Sequence, residues 1–132
     1  FSAARGFGAY SSLKGRLHVS EITHLPKAAL TYDINSRDDA TLDLWLQRCR
    51  KLLAFPVQTL RCHGSAALEM CGVARGATEA HIEAGLDLWD VAAAWLILIE
   101  AGGCLSDLGG LSLGSISQFK GDVLACNSKE MA

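Results

Sequence analysis

The spacing of apolar and polar positions changes from strand-like to helical several times along the chain. The clearest helical spacing is carried by Leu42, Trp45, Leu46, Cys49, Leu52 and Leu53. Ser36 followed by Asp39 resembles a capping box at the start of this helix, and Pro56 ends it. A short helix is predicted over 65–76. A third, in LWDVAAAWLILIEAGG (88–103) and stopped by Gly102 and Gly103, is apolar on nearly every side, which predicts burial on most sides.

Short strands are predicted between and beyond these helices. The candidates are AALTYD (28–33), VQTLRCH (57–63), TEAHIEAG (78–85), GCLSD (103–107) and DVLACN (122–127). The first twenty residues alternate small and apolar positions with glycine, which predicts two strands and a turn. Strands that alternate with helices indicate an α/β fold, a mixed β-sheet with flanking helices.

Composition narrows the class of protein. The 132 residues suit one domain, and a net charge of −2 gives no electrostatic reason to expect a nucleic-acid partner. The longest strongly apolar run is too short for a membrane helix, so no membrane partner is expected. The 5 cysteines form no CxxC pair and no secretory signal begins the chain, which favours free thiols and a cytoplasmic location.

Asp90 stands at the mouth of the most apolar helix. In the first turn it would be stabilised by the helix dipole by roughly 0.3–1 kcal/mol, which is a purely structural role. Alternatively, Asp87 already caps the helix, and Asp90 then faces a cation or a polar cleft, because an unpaired buried charge is costly. Glu83, near the end of the preceding strand, would open onto the same edge. The residues alone leave both interpretations open.

Longer stretches carry a resemblance to a known family. GLDLWDVAAAWLILIEAGG (85–103) resembles the second signature of the inositol monophosphatase family, W-D-x-A-A-G followed by E-A-G-G, with Ala94 where the family often has Gly. RCHGSAALEMCGVARGATEAHIEAG (61–85) is similar to the strand, helix and strand that lead to that signature. FSAARGFGAY with GRLHVS is similar to a family hairpin, and LACN (124–127) to its final strand. The resemblance covers nearly the whole chain.

The resemblance implies roles for particular residues. Asp90 would be a ligand of a catalytic Mg²⁺, and Glu83 would accept hydrogen bonds from a substrate hydroxyl. The substrate pocket would also be lined by Gly64, Ser65 and Ala66. Trp89 would serve packing, and Glu100 would be a structural residue bonded to a neighbouring element.

The resemblance also implies an architecture. Residues 21–132 would form the C-terminal, substrate-side domain of a layered α-β-α-β-α sandwich, and residues 1–20 a hairpin remnant of the N-terminal half. The family's first acidic signature, Asp-Pro-Ile-Asp-Gly-Thr, has no counterpart here. The chain is therefore expected to be inactive by itself.

The implied chemistry is hydrolysis of inositol monophosphate or a similar small phosphate ester, in which Mg²⁺ activates the attacking water. Inhibition by Li⁺ and a homodimer of the full-length protein are also implied. The alternative is a truncated paralogue that acts as a non-catalytic interaction or regulatory module.

Overall fold

The computed structural model describes residues 1–33, 38–114 and 119–132. Its strands are β1 (Ser2–Ala4), β2 (Gly8–Ser11), β3 (Gly15–Arg16), β4 (Ala29–Tyr32), β5 (Thr59–Arg61), β6 (Ala80–Asp87), β7 (Cys104–Ser106) and β8 (Lys120–Cys126). Its helices are α1 (Asp39–Leu53), α2 (Ala66–Ala74) and α3 (Leu88–Glu100), with a 3₁₀ turn at Leu25–Lys27. Within the described ranges, no helix is long and apolar enough to cross a membrane.

Five strands form a mixed sheet in the order β5-β4-β6-β8-β7. Strand β4 runs parallel to β5 and β6, while β8 runs antiparallel to both β6 and β7. The two parallel steps are connected through α1 and α2, as parallel strands require a crossover. The predicted α/β class, a mixed sheet with flanking helices, is confirmed.

The two faces of this sheet are covered differently. Helices α2 and α3 lie on one face, where they bury Met70, Val73 and Leu98 against Val123 and Ala125 of β8. Helix α1 lies on the other face, because successive strand residues point to opposite sides and Tyr32 carries the contact. The Tyr32 hydroxyl donates to the Trp45 carbonyl at 2.8 Å, and the two rings meet edge to face.

A second, smaller sheet covers part of α3. Strands β1, β2 and β3 pair antiparallel in sequence order, so the first twenty residues form three short strands where two were predicted. Ala9 and Leu17 pack into the same core as α3. The backbone N–H groups of Gly6 and Gly8 donate to the two carboxylate oxygens of Glu100, each at 2.8 Å. The predicted structural role of Glu100 is confirmed.

The predicted burial of α3 on most sides is wrong. Val91, Ala94, Ile97 and Leu98 are buried, but an opposite stripe of the helix faces solvent. That stripe comprises Trp89, Ala92, Ala93 and Ile99. The small sheet holds the helix near Glu100 and leaves this stripe uncovered. An all-round apolar sequence therefore does not by itself say which sides are covered.

Helix α1 begins two residues later than a Ser36 cap would imply. Ser36 lies outside the described residues, and the N-cap is Asp38, whose Oδ1 accepts from the backbone N–H of Thr41 at 2.9 Å. Of the six apolar residues that predicted the helix, Trp45 alone is fully buried, while Leu42, Leu46 and Leu53 are exposed. The predicted helix is therefore confirmed, but most of its apolar face is not buried.

Candidate active site

A cavity of about 480 Å³ opens where parallel strands end and two helices begin. Its lining residues are Asp33, Cys62, Gly64, Ser65, Ala66, Ala67, Glu83, Leu86, Trp89 and Asp90. Asp33 directly follows β4, and Cys62 directly follows β5. Open α/β sheets bind ligands at such carboxyl ends of strands. The five residues singled out from the sequence, Asp90, Glu83, Gly64, Ser65 and Ala66, all lie around this one cavity.

Asp90 does two things at once. Its Oδ2 accepts a hydrogen bond from the backbone N–H of Asp87 at 3.0 Å, which caps the first turn of α3. The interpretation that capping by Asp87 leaves Asp90 without a structural task is therefore wrong. Its other carboxylate oxygen has no hydrogen-bond partner among the described residues, and the side chain lines the cavity. One oxygen holds the helix, and the other is left for a ligand.

A β-bulge lies between Glu83 and α3. Glu83 pairs with Val123 and Leu86 with Gly121, so three steps along β6 match two along β8. Gly85 lies inside the bulge at φ 71°, a left-handed conformation that glycine adopts without strain. Its N–H donates to Asp122 Oδ1 at 3.1 Å. The extra residue turns the chain so that Glu83 and the first turn of α3 border the same cavity.

The loop before α2 is held by a carboxylate that the sequence analysis did not single out. Asp33 is buried and accepts two backbone N–H groups, from His63 to Oδ1 and from Gly64 to Oδ2, each at 3.1 Å. Gly64 has φ 85°, which again favours glycine. Ser65 is the N-cap residue of α2, as predicted, but its side chain makes no capping hydrogen bond.

Glu83 is held from the sheet below. Its Oε2 lies 3.2 Å from His81 Nε2, and His81 Nδ1 lies 3.0 Å from Thr31 Oγ1. All three side chains are buried. His81 was not predicted as a site residue, because its only signal in the sequence is its position two residues before Glu83, on the same face of a strand.

Asp33, His81 and Glu83 offer ligand atoms that lie within 4.8 Å of one another. Both oxygens of Asp33 and both ring nitrogens of His81 have protein partners, and Glu83 has one through Oε2, so the cluster is held together without a cation. Asp90 stands outside this cluster but lines the same cavity, and one of its carboxylate oxygens accepts no hydrogen bond from the described residues. Carboxylate oxygen suits Mg²⁺, so Asp90 fits as one ligand of such an ion, and other oxygens would have to complete the shell.

The cavity has a pronounced negative character. Three carboxylates line it, from Asp33, Glu83 and Asp90, and none of the described lining residues is Lys or Arg. A bare phosphate ester would be repelled by this lining, whereas a divalent cation would be attracted and would reverse the local charge. The electrostatics therefore favour a ligand that arrives together with a cation.

Trp89 was predicted to serve packing, and this is wrong. Its side chain is 79% exposed at the rim of the cavity. The residue stands on the solvent side of the first turn of α3, opposite the buried Val91. An exposed indole beside a polar cavity offers a flat apolar wall to whatever enters.

Comparison with known proteins identifies the family. The sequence profile of the Inositol monophosphatase family matches residues 1–132. The chain belongs to the inositol monophosphatase family. It is 38% identical over 133 aligned residues to human Inositol monophosphatase 2, an alignment that covers 100% of this chain and 45% of that protein. The chain thus spans about half the length of the curated relatives it matches.

Solved structures of the family agree with the fold. The inositol monophosphatase from Anabaena (Nostoc) superposes with a TM-score of 0.78 at 29% identity, covering 98% of this chain and 50% of that one. SaIMPase-II, solved with inositol monophosphate bound, gives a TM-score of 0.75 at 28% identity, covering 96% and 46%. The α/β fold described above is therefore part of the inositol monophosphatase fold.

Proposed function

We propose that the chain is the substrate-side part of a Mg²⁺-dependent phosphomonoesterase that hydrolyses inositol monophosphate or a similar small phosphate ester. The observation that carries this is the acidic cavity, which gathers Asp90 and Glu83 with Gly64, Ser65 and Ala66 in a member of this family. A structural relative solved with inositol monophosphate bound supports the substrate class.

Asp90 would hold the Mg²⁺ through the oxygen that does not cap α3. The capping bond fixes the carboxylate on the first turn of a helix, which limits its motion and favours a defined ligand geometry. When bound, Mg²⁺ supplies charge neutralisation at the phosphate and a polarised water. Because the lining carries no described basic residue, phosphate binding depends on that positive charge.

Glu83 would accept a hydrogen bond from a substrate hydroxyl. It is buried except where it lines the cavity, so a bond made there is shielded from water and is strengthened. Gly64, Ser65 and Ala66 would form the adjoining wall, on a loop that Asp33 holds in place. These residues would bind and orient the ester, and they would not take part in proton transfer at phosphorus.

One available carboxylate oxygen makes a weak Mg²⁺ site. We therefore expect the 132-residue chain to release no phosphate by itself, and residues 1–20 and 21–132 to be portions of two halves of a larger enzyme that forms a homodimer. A cytoplasmic location belongs to the same proposal, and it is supported by the five cysteines, none of which forms a disulfide within the described residues.

The proposal is tested by phosphate release and by Mg²⁺ titration of the purified chain. We expect no turnover of inositol monophosphate, but weak calorimetric binding of Mg²⁺ that Asp90→Asn removes. Turnover that Asp90→Asn abolishes would contradict the expected inactivity while supporting the role of Asp90. A wild-type chain that binds no Mg²⁺ at millimolar concentration would contradict the metal role itself.

A second candidate is the non-catalytic interaction module. The observation that favours it is the exposed apolar surface, with Leu13 94% and Trp89 79% exposed. Such side chains are candidates for covering by another polypeptide. If the chain acts only in this way, Asp90→Asn would leave its association with partner subunits in co-purification unchanged and would not alter their activity. If the chain is part of an enzyme, the same substitution would abolish the activity of that enzyme.

A further inference from the structure

Three buried side chains, those of Thr31, His81 and Glu83, form a series of hydrogen bonds that leads from the sheet to the cavity. Thr31 of β4 and His81 of β6 are direct cross-strand partners, and Glu83 follows His81 on the same face of β6. On the other side, His81 pairs with Ala125 and Glu83 with Val123, both fully buried and apolar. The three polar groups thus lie in a dry layer, where each needs a partner and where hydrogen bonds are strong.

The chemistry of the two end groups favours one direction for this series of hydrogen bonds. An ionised carboxylate can only accept, so with Glu83 Oε2 3.2 Å from His81 Nε2 this direction places the ring proton on Nε2. Thr31 Oγ1 lies 3.0 Å from the other ring nitrogen, and its alternative acceptor, the carbonyl of Ala80, lies farther away at 3.4 Å. In this direction the hydroxyl donates to the nearer Nδ1, and the ring donates to the carboxylate.

We propose that Thr31 and His81 are positioning residues that hold the Glu83 carboxylate as an acceptor for a hydroxyl group of a polyol phosphate. This inference rests on the function proposed above and extends it. Glu83 lines the cavity and its Oε2 is occupied by His81, which leaves the other carboxylate oxygen for a ligand. An ionised carboxylate in a fixed rotamer selects a ligand that offers a hydroxyl proton, and it gives nothing to free phosphate.

The nearby Asp33 does not convert this series of hydrogen bonds into a metal site. Its two oxygens are engaged by the backbone N–H groups of His63 and Gly64, and His81 spends both ring nitrogens on Thr31 and Glu83. A cation bound to the ring would have to replace the proton on Nε2. The two arrangements are therefore distinguishable by where that proton is.

The first test is the protonation pattern of the His81 ring in the wild-type chain, read by long-range ¹H–¹⁵N NMR. We expect a proton on Nε2 that exchanges slowly with water. A neutral ring protonated on Nδ1 would overturn the proposal, because no donor would then face Glu83. Loss of the Nε2 proton on addition of Zn²⁺ or Mn²⁺, reversed by chelation, would overturn it in favour of a metal site.

The second test separates positioning from general stability. His81→Gln keeps an N–H donor near the Nε2 position, while His81→Leu removes it at similar volume. Binding of inositol monophosphate and of inorganic phosphate is measured with saturating Mg²⁺. We expect His81→Leu to weaken inositol monophosphate binding by about tenfold, the usual cost of losing a buried bond to a charged group. Inorganic phosphate binding should change less than about twofold, and His81→Gln should retain most of the affinity.

Each result is decisive. An unchanged affinity for inositol monophosphate in a folded His81→Leu variant overturns the proposal, as does an equal loss for both ligands, which would mark a merely structural role. Thr31→Val should shift the His81 ring toward a mixture of forms protonated on Nδ1 and on Nε2. Thr31→Ser, the matched control, should leave the proton on Nε2. If the wild type binds neither ligand, the function proposed above fails, and the hydroxyl-selecting role of Glu83 fails with it. The protonation of the His81 ring still decides whether the series of hydrogen bonds exists.

Discussion

Each end of α3 carries a carboxylate, Asp90 at the start and Glu100 at the end, and the two have different hydrogen-bond partners. At the C-terminal end, both oxygens of Glu100 accept backbone N–H groups from the small sheet. At the N-terminal end, Asp90 spends one oxygen on the N–H of Asp87 and turns its side chain toward the cavity. What separates a structural carboxylate from one that can bind a ligand is therefore the number of its oxygens already engaged.

Asp33 sharpens this distinction. It lines the same cavity as Asp90, yet both of its oxygens are held by backbone N–H groups, as in Glu100. Position at a cavity does not by itself make a carboxylate a metal ligand. By this criterion Asp33 supports the loop before α2, and Asp90 is the carboxylate on α3 that has an oxygen available to bind a cation.

The largest effect is expected from Asp90→Asn on Mg²⁺ binding. The neutral amide oxygen is a poor substitute for a carboxylate ligand, so Mg²⁺ affinity should fall by about tenfold or more. The amide oxygen can still accept from the Asp87 N–H, so the melting temperature should change little. Calorimetric titration with Mg²⁺ and a thermal melt measure both. Glu100→Gln is the control, and a similar Mg²⁺ loss in that variant would break the comparison.

Glu100→Gln should in turn affect the fold and not the cation. The amide group of Gln offers one acceptor and one donor, so one of the N–H groups of Gly6 and Gly8 would face another donor. We expect faster amide hydrogen exchange at both glycines and a lower melting temperature. The exposed Glu130 provides a matched Glu→Gln control with no expected change. Unaltered exchange at Gly6 and Gly8 would show that Glu100 does not hold the small sheet.

The pH dependence of stability should follow Glu100. Hydrogen bonds from the backbone of Gly6 and Gly8 lower the pKa of this carboxyl group from its usual 4.5. A lowered folded-state pKa stabilises the folded protein above the unfolded-state value, and this contribution is lost as the pH falls through the lowered pKa. The difference in unfolding free energy between wild type and Glu100→Gln should therefore be largest near neutral pH and shrink below about pH 4. A constant difference across that range would contradict the assignment.

Trp89→Ala should have the smallest effect on stability. The side chain is 79% exposed, and substitutions at such positions change the unfolding free energy by within about 0.5 kcal/mol. Trp45→Ala is the contrasting variant, since Trp45 is fully buried and such a truncation costs about 3–5 kcal/mol. Urea denaturation of both variants measures the difference. A large loss in Trp89→Ala would mean that the rim of the cavity is a packed part of the core.

The sequence predicted local structure better than it predicted neighbours. The three helices and the five sheet strands could be read from periodicity and breaks, because those signals depend on nearby residues. Glu83 and Asp90 could be placed at one edge for the same reason. The partnership of Thr31 with His81 could not, because it depends on the register between two strands that lie 50 residues apart in the chain.

The sequence also did not predict which helix faces are buried by other elements. An apolar helix announces that some side must be covered, but not which side or by what, so the exposure of Trp89 and of the leucines on α1 was not foreseen. The double use of Asp90 is also not visible in the sequence, because capping and ligand binding place the same residue type at the same position. A carboxylate has two oxygens, and the geometry assigns one to each task.

The bulge at Gly85 divides β6 into two segments whose side chains would otherwise be out of phase. Glu83 and Leu86 are three residues apart, an odd spacing that would place them on opposite faces of a regular strand. The extra residue resets the alternation, so the segment that bears the polar chain and the segment that packs under α3 share one face. A regular strand over the same residues would turn Leu86 outward and Asp87 into the apolar core, so the bulge at Gly85 determines which face every later residue of the strand presents.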